Sequence, residues 1–99
     1  MSVYCMYNYS MRIEYDPRKA ASNLKKHKVS FEEAVESLHD PLARVIPDPD
    51  CEGEARYILI GMSSSRRILL VIYAYRDEDD VIRIISARKA TAREAALYA

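Results

Sequence analysis

Glycine and cysteine are scarce in this chain of 99 residues, and each scarcity argues against a class of site. The two glycines, Gly53 and Gly61, are too few for a glycine-rich loop that binds phosphate. The two cysteines, Cys5 and Cys51, lie far apart and lack C-x-x-C spacing. Two thiols in a reducing cytosol are therefore favoured over a metal or redox site. The chain also lacks the serine, cysteine or histidine constellation that is typical of a hydrolase.

Long apolar runs are absent as well, although 49% of the residues are hydrophobic. No run approaches the roughly 18 apolar residues that span a bilayer, so we expect a soluble, cytoplasmic protein with no membrane contact. The opening "MSVYCMYNYS" has neither the basic start nor the apolar middle of a secretory signal. We predict that residues 1–10 are a flexible N-terminal extension and that residues 11–99 form a single domain.

Net charge is also absent, because 15 basic residues balance 15 acidic ones. No overall field therefore attracts nucleic acid. The charges are nevertheless segregated: residues 31–54 carry eight anions and one cation, whereas residues 55–76 carry four cations and no anion. This order can fold into a basic face with an acidic rim, and the alternative is scattered, solvated charge.

Two acidic segments invite a metal interpretation, and neither supports one. "DPDCEG" begins like a calcium loop, but Leu59 stands where the closing bidentate glutamate belongs. "DEDD", residues 77–80, could suggest a two-metal nuclease, but consecutive acids point in divergent directions and favour a solvated turn. His27 and His39 are isolated from other ligands. We expect no metal and no cofactor.

Apolar periodicity and capping signals predict an α+β domain with the order β-α-α-β-β-β-β-α, in which helices pack on one face of an antiparallel sheet. Asp16 and Pro17 suit the start of the first helix, and S-x-x-E and T-x-x-E capping boxes open the second and third. The predicted strands are 12–15, 42–46, 56–61, 67–75 and 81–87, and the predicted helices begin near residues 17, 31 and 92.

The expected strand register gathers cations on the face that the helices leave free. It places Arg56, Tyr73 and Arg83 in a row across three strands, with Arg88 and Lys89 following in the turn before the last helix. A slip of one residue in the first hairpin would break this row. The residues predicted to face the helices are Tyr57, Leu59, Leu70, Ile72, Ile82 and Ile84.

Such a row could be a cationic floor for a phosphodiester backbone. Arginine suits this task because its planar, permanently charged fork binds phosphate at two points, and a tyrosine could stack on a base or assist proton transfer. The alternative is that the arginines pair with carboxylates from the acidic loops.

Four segments resemble the BrnT family of bacterial toxins, which are the ribonuclease halves of type II toxin–antitoxin modules with a RelE-like fold. They are "YDPRKAASNLKKHKVSFEEA", "DPLA", "EGEARYILIG" and "RIISARKATARE", and the resemblance runs from about Met11 to Tyr98. The chain departs from the family pattern at Lys28, where glycine is usual, and in "RDEDD", which lacks the glycine common in that turn. Its last helix, "AREAALYA", is also richer in alanine and poorer in arginine than the family's.

The resemblance implies metal-independent RNA cleavage in which the 2′-hydroxyl attacks the adjacent phosphate. It also implies a BrnA-like antitoxin partner, through which the protein reaches DNA only indirectly and represses its own operon. The implied catalytic residues are Arg56, Tyr73, Arg83 and Arg88. The implied RNA contacts are Lys26, His27 and Lys89.

Two points stay open at this stage. Tyr73 or His27 is the acid–base candidate, although His27 could instead cap the end of the first helix. A degenerate toxin that retains only antitoxin binding, and a stand-alone RNA-binding domain, are the alternative functions.

Overall fold

The computed structural model describes residues 3–6, 12–50, 53–76 and 81–98, with the backbone alone for residues 3–6. The α+β class and the predicted order of elements are confirmed, with one additional strand, β1, before them. The elements are β1 (Val3–Met6), β2 (Arg12–Tyr15), α1 (Pro17–His27), α2 (Phe31–Leu38), β3 (Arg44–Pro47), β4 (Arg56–Met62), β5 (Ile68–Tyr75), β6 (Val81–Lys89) and α3 (Ala92–Ala95). The predicted domain boundary at residue 11 lies outside the described residues and stays a prediction.

Helix α1 begins and ends as its sequence predicts. The Asp16 carboxylate accepts a hydrogen bond from the Arg18 backbone N–H at 2.8 Å, and Pro17 occupies the first turn. The helix ends at Lys28, whose φ of 61° is left-handed and whose N–H donates to the Leu24 carbonyl. A non-glycine residue therefore adopts the conformation that glycine usually supplies.

The two predicted capping boxes have different outcomes. At α3 the box is complete, because the Thr91 and Glu94 side chains each accept from the other's backbone N–H. At α2 only half forms: Ser30 Oγ accepts from the Glu33 N–H at 3.0 Å, but the Glu33 carboxylate binds Arg67 instead. That hydrogen bond is the main reason that the pKa of Glu33 is lowered. The contact ties α2 to the turn between β4 and β5.

The strands form one sheet in the order β1-β2-β6-β5-β4-β3. Strand β2 pairs with β6 in parallel and all the other pairings are antiparallel, so the expectation of a wholly antiparallel sheet is wrong. The chain leaves β2 through two helices and three strands before it returns as β6. A connection of this length allows parallel pairing, which a short hairpin does not.

Helices α1 and α2 cover one face of this sheet and bury the hydrophobic core. Phe31 of α2 is fully buried and packs edge-to-face on Tyr15, with ring centroids 5.2 Å apart. The buried strand residues of this core are Ile13, Leu59, Leu69, Val71, Tyr73, Ile82, Ile84 and Ala87. We call the other side of the sheet the open face.

Asn23 attaches α1 to the edge of β6. Strand β2 pairs only with residues 81–83 of β6, so the later part of that edge has no neighbouring strand among the described residues. There the buried Asn23 side chain donates to the Ala87 carbonyl at 2.7 Å and accepts from the Ala87 N–H at 3.2 Å. Its amide thus pairs both the N–H and the carbonyl of Ala87, as a neighbouring strand would.

The predicted register is wrong by one residue in both hairpins. In the first, Met62 pairs with Ile68 rather than with Arg67. The reason is a three-residue turn closed by the Ser63 N–H donating to the Arg67 carbonyl, with Arg66 left-handed at φ 63°. Hairpins commonly place glycine at such a position, and this sequence has none there to mark it.

The second hairpin closes through the Arg76 N–H, which donates to the Val81 carbonyl at 2.8 Å. Tyr75 consequently pairs with Ile82, not with Val81 as predicted. The two shifts turn Val71 and Tyr73 towards the helices. Leu70 and Ile72, predicted to face the core, lie on the open face instead.

Candidate active site

Four strands place a row of residues on the open face, in the order Glu14, Arg83, Ala74 and Arg56. The predicted row of Arg56, Tyr73 and Arg83 is therefore wrong, because Ala74 occupies the central position. In the observed register, Arg56 and Arg83 lie on either side of the Ala74 methyl group instead of a phenol ring. The two arginines themselves share a face, as predicted.

Both of these arginines hold a donor that has no partner. The Nε atoms of Arg56 and Arg83 are buried and make no hydrogen bond to any described residue, and Ala74 between them is fully buried. One terminal nitrogen of Arg83, Nη2, forms an ion pair with Glu54, whose side chain is 42% exposed. Unpaired buried donors are rare in folded proteins and call for an explanation such as a missing ion or a functional role. An anionic ligand that reached this position would supply the acceptors.

Two more arginines belong to this end of the open face, and our sequence analysis did not select them. Arg76 follows Ala74 by two residues, so strand alternation directs it to the same face, and Arg12 pairs with Val81 in the next row. We call Arg12, Arg56, Arg76 and Arg83 the arginine cluster. The i, i+2 spacing of Ala74 and Arg76 is present in the sequence. Without the correct register of β5, however, it does not show that Arg76 shares a face with Arg56 and Arg83.

The cluster contains one deeply buried carboxylate. Glu14 is 2% exposed and accepts a hydrogen bond from Arg76 Nη1 at 2.5 Å. Arg76 itself is 43% exposed at its side chain. The cluster thus combines four cations with the two carboxylates of Glu14 and Glu54 among the described residues.

Arg88 lies on the open face only because β6 contains a bulge. Arg83 and Arg88 are five residues apart, and strict alternation would place them on opposite faces. The register shifts between Ile72 and Tyr73, so that Ile85 is an extra residue on β6. Arg88 is therefore a strand residue, and the prediction that it lies in the following turn is wrong.

Glu94 of α3 binds Arg88 with both carboxylate oxygens, each at 2.8 Å from a terminal nitrogen. This pairing is the largest reason that the pKa of Glu94 falls to about 2, and the same hydrogen bonds raise the pKa of Arg88. A bidentate pair of this kind occupies the fork that a phosphate would need. Arg88 is thus engaged where Arg56 and Arg83 retain unpaired donors.

The three predicted RNA contacts separate into two places. Lys26 and His27 lie exposed in the last turn of α1 and line a cleft of about 190 Å³ that reaches Ser86 at the edge of β6. Lys89 is a strand residue rather than a turn residue, and it pairs with Leu69 on the helix-covered face. It lines a different cavity, of about 550 Å³, beside α3. Because Lys28 ends α1, His27 is not the residue that caps it.

Tyr73 is far less accessible than a catalytic side chain requires. It is 4% exposed and belongs to a cluster of three tyrosine rings on the helix-covered face. Its ring stacks on Tyr57 with centroids 5.6 Å apart and meets Tyr75 edge-to-face at 5.8 Å. The structure therefore places Tyr73 among packing contacts and away from the arginine cluster.

Metal ligands and membrane spans can be assessed only for the described part of the chain. Within it, no three histidine, cysteine or acidic side chains are close enough to hold a metal ion together. None of its helices is long and apolar enough to cross a bilayer. The predictions about the Cys5 thiol, about Cys51 and Glu52 of the calcium-like segment, and about "DEDD" fall outside the described residues.

A helix-covered mixed sheet with arginines gathered on its open face defines a small α+β protein that is suited to an anionic ligand. The model of the family "Ribonuclease toxin, BrnT, of type II toxin-antitoxin system" matches residues 15–94. The chain belongs to this BrnT family of ribonuclease toxins.

A solved structure supports the same assignment. The chain is similar to the 1.1 Å crystal structure of the Brucella abortus ribonuclease toxin BrnT, with 25% sequence identity and a TM-score of 0.59. The match covers 78% of this chain and 92% of that one. The comparison with curated proteins gave no match.

Proposed function

We propose that this BrnT-family toxin is a cytoplasmic endoribonuclease that cleaves RNA without a metal ion. The ribose 2′-hydroxyl attacks the adjacent phosphate, the bond to the 5′-oxygen breaks, and a 2′,3′-cyclic phosphate is left on the upstream product. The observation that carries the proposal is the pair Arg56 and Arg83 beside Ala74, whose buried Nε donors lack partners among the described residues. Guanidinium groups fixed at that position would stabilise the charge that develops on the phosphorane.

The other predicted site residues contact RNA less directly in this proposal than Arg56 and Arg83 do. Arg88 joins the phosphate contacts only when RNA displaces Glu94, since the two are now bound to each other. Lys26 and His27 guide the RNA where it crosses the edge of β6, because their cleft opens at Ser86 between Arg83 and Arg88. Lys89 would touch RNA only beyond the end of the sheet. An acid–base role for Tyr73 stays a prediction, and the burial of its ring argues against it.

Cleavage tests the enzymatic proposal directly. Purified protein is incubated with a long RNA of mixed sequence in excess EDTA, beside DNA of the same sequence. We expect RNA fragments that end in a 2′,3′-cyclic phosphate and intact DNA. Replacement of both Arg56 and Arg83 by alanine should abolish cleavage, whereas Arg18→Ala, which removes an exposed cation of α1, should not.

A second function has one observation in its favour. Glu54 and Glu94 already bind Arg83 and Arg88, which would suit a toxin that has lost catalysis and keeps only its partner. A folded wild-type protein that leaves every RNA intact, with or without ribosomes, would establish this alternative.

We further propose a BrnA-like antitoxin as the partner. It would neutralise the toxin, carry the DNA-binding element, and form with the toxin the repressor of their operon. The test is to co-express the product of the adjoining gene, which should restore growth. The complex should retard operator DNA but not a scrambled duplex, and the toxin alone should retard neither DNA. Continued growth arrest in the presence of folded partner would contradict the assignment.

A further inference from the structure

We infer that Glu14 is a positioning residue that holds Arg76 as a third phosphate ligand beside Arg83. The inference rests on the proposed function, and it names two residues that neither the sequence analysis nor the family resemblance selects. Glu14 is a buried carboxylate on the face of the sheet that carries the arginines.

Glu14 has an unusual environment for an acidic side chain. It is 2% exposed, yet its strand position directs it to the open face, where its backbone neighbour on β6 is Arg83. A carboxylate is costly to bury unless a positive group pairs with it, and an apolar residue can often replace such a pair at no cost in stability. Stability alone therefore gives little reason for a carboxylate here.

The partner of Glu14 is arranged to bind something else as well. Arg76 Nη1 donates to Glu14 Oε1 at 2.5 Å, while the Arg76 side chain is 43% exposed. Glu14 is the only partner of that side chain among the described residues. Glu14 thus binds one nitrogen of the guanidinium, and the other nitrogens, which have no partner among the described residues, could donate to a phosphate.

The position of Arg76 makes it a neighbour of the proposed reaction centre. Arg76 is two residues beyond Ala74 on β5, and its N–H closes the hairpin onto Val81, two residues before Arg83. Three guanidinium groups, those of Arg56, Arg76 and Arg83, therefore surround one end of the open face. Glu14 would fix the orientation of Arg76 before RNA arrives, so that little side-chain freedom is lost on binding.

Glu54 supplies a contrast on the same face. It pairs with Arg83 as Glu14 pairs with Arg76, but its side chain is 42% exposed. An exposed carboxylate competes with the RNA phosphate for its arginine, whereas a buried carboxylate fixes the orientation of its arginine without blocking the exposed nitrogens. The same substitution at the two sites should consequently have opposite effects.

The experiment combines cleavage kinetics with the binding of an uncleavable 2′-O-methyl RNA at several salt concentrations. Arg76→Ala should weaken binding, reduce its salt dependence by about one phosphate contact, and lower kcat/KM by about 10- to 100-fold. Glu14→Gln should lower kcat by about tenfold without raising KM, because it removes a negative charge but releases Arg76. Glu54→Gln should tighten RNA binding and leave kcat undiminished.

A double-mutant cycle tests whether Glu14 acts through Arg76. In the Arg76→Ala background, Glu14→Gln should cause no further loss of kcat. All kinetics are measured well below the unfolding temperature of each variant, followed by circular dichroism. Arg76→Gln and Arg76→Lys, whose side chains can still donate to the buried Glu14 carboxylate, serve if Glu14→Gln does not fold. Arg76→Lys should keep the salt dependence, and Arg76→Gln should reduce it by about one phosphate contact.

Three results would overturn the inference. A purely structural ion pair would lower the unfolding temperature of both single variants while their kcat and salt dependence, measured on folded protein, match those of the wild type. Additive losses in the cycle would show that Glu14 acts independently of Arg76. Absence of RNA binding by the wild type would remove the ligand altogether. If the wild type binds RNA but does not cut it, the cleavage proposal fails while the binding measurements still decide the role of Arg76.

Discussion

The two ends of β6 present arginine to the open face in different states. At the start of the strand, Arg83 has a buried Nε without a partner among the described residues and pairs with the exposed carboxylate of Glu54. The other three members of the arginine cluster lie on the same end of the open face. At the other end, Arg88 is bound by both oxygens of Glu94, which also completes the capping box of α3. Two arginines on one strand and one face can thus differ in how fully their guanidinium groups are paired, because the tertiary structure supplies a different carboxylate partner to each.

The largest difference that we predict is in catalysis. Arg83→Ala should lower kcat/KM by about 100- to 1000-fold, the loss typical of removing a group that stabilises transition-state charge. Arg88→Ala should lower it by about tenfold or less, because Glu94 already occupies that guanidinium. Both are measured on the same RNA, with growth arrest in cells as the parallel readout. Equal losses would mean that Glu94 releases Arg88 during the reaction and that the two ends act alike.

The difference should be reversed for stability. Arg88→Ala leaves a partly buried carboxylate without its partner and should lower the free energy of unfolding by about 1 to 3 kcal/mol. Arg83→Ala breaks a more exposed pair and should cost about 1 kcal/mol or less. Urea titration near pH 7 measures the free energy of unfolding of both variants. A larger loss of stability for Arg83→Ala than for Arg88→Ala would contradict this prediction.

The same pair should make stability depend on pH. Arg88 holds the pKa of Glu94 at about 2, below its usual value of 4.5, so the stabilising pair is complete above pH 4.5 and is lost as the pH falls towards 2. Because the site is partly solvated, we expect a contribution of about 1 to 2 kcal/mol. Glu94→Gln should remove this part of the pH dependence while the part due to Glu33, whose pKa is also lowered, persists. Identical curves for variant and wild type would contradict it.

The smallest effect is predicted for Tyr73→Phe. The ring stays in the tyrosine cluster and only a hydroxyl is lost, so we expect less than about threefold change in kcat at the optimal pH. Tyr57→Phe, in the adjoining ring, is the matched control. A fall of 100-fold or more at Tyr73 alone would restore the acid–base prediction for this residue.

The features that local sequence could predict are those that depend on neighbours a few residues away. Asp16 with Pro17 marked the start of α1, and Thr91 with Glu94 marked α3, because a cap is made within one turn of helix. The strands were found because apolar runs and turn residues alternate along the chain. The cationic character of one face was also predicted, through Arg56 and Arg83.

The features that were missed depend on single residues in turns or on groups distant in the chain. Register changed because Arg66 adopts a left-handed conformation without glycine, and because Ile85 is an extra residue in β6. Each shift of one position exchanges the two faces of a strand, so that Tyr73 lies on the helix-covered face and Ala74 lies between Arg56 and Arg83. The buried Glu14 could not be recognised, since its partner Arg76 is 62 residues away.

The sequence by itself determined the elements after β1, the caps of α1 and α3, and the family resemblance, because each of these depends on contiguous residues such as "NLKKH" and "RIISARKAT". Only the tertiary structure decided that Arg76 and Arg88 join Arg56 and Arg83 on the open face, and which of these arginines are paired with a carboxylate. A pleated strand exposes alternate residues, so a turn or bulge one residue longer redirects every side chain beyond it. The sequence pattern predicted Arg83 in a strand and Arg88 in the following turn. The bulge at Ile85 places both on the open face, and the carboxylate of Glu94 pairs with Arg88.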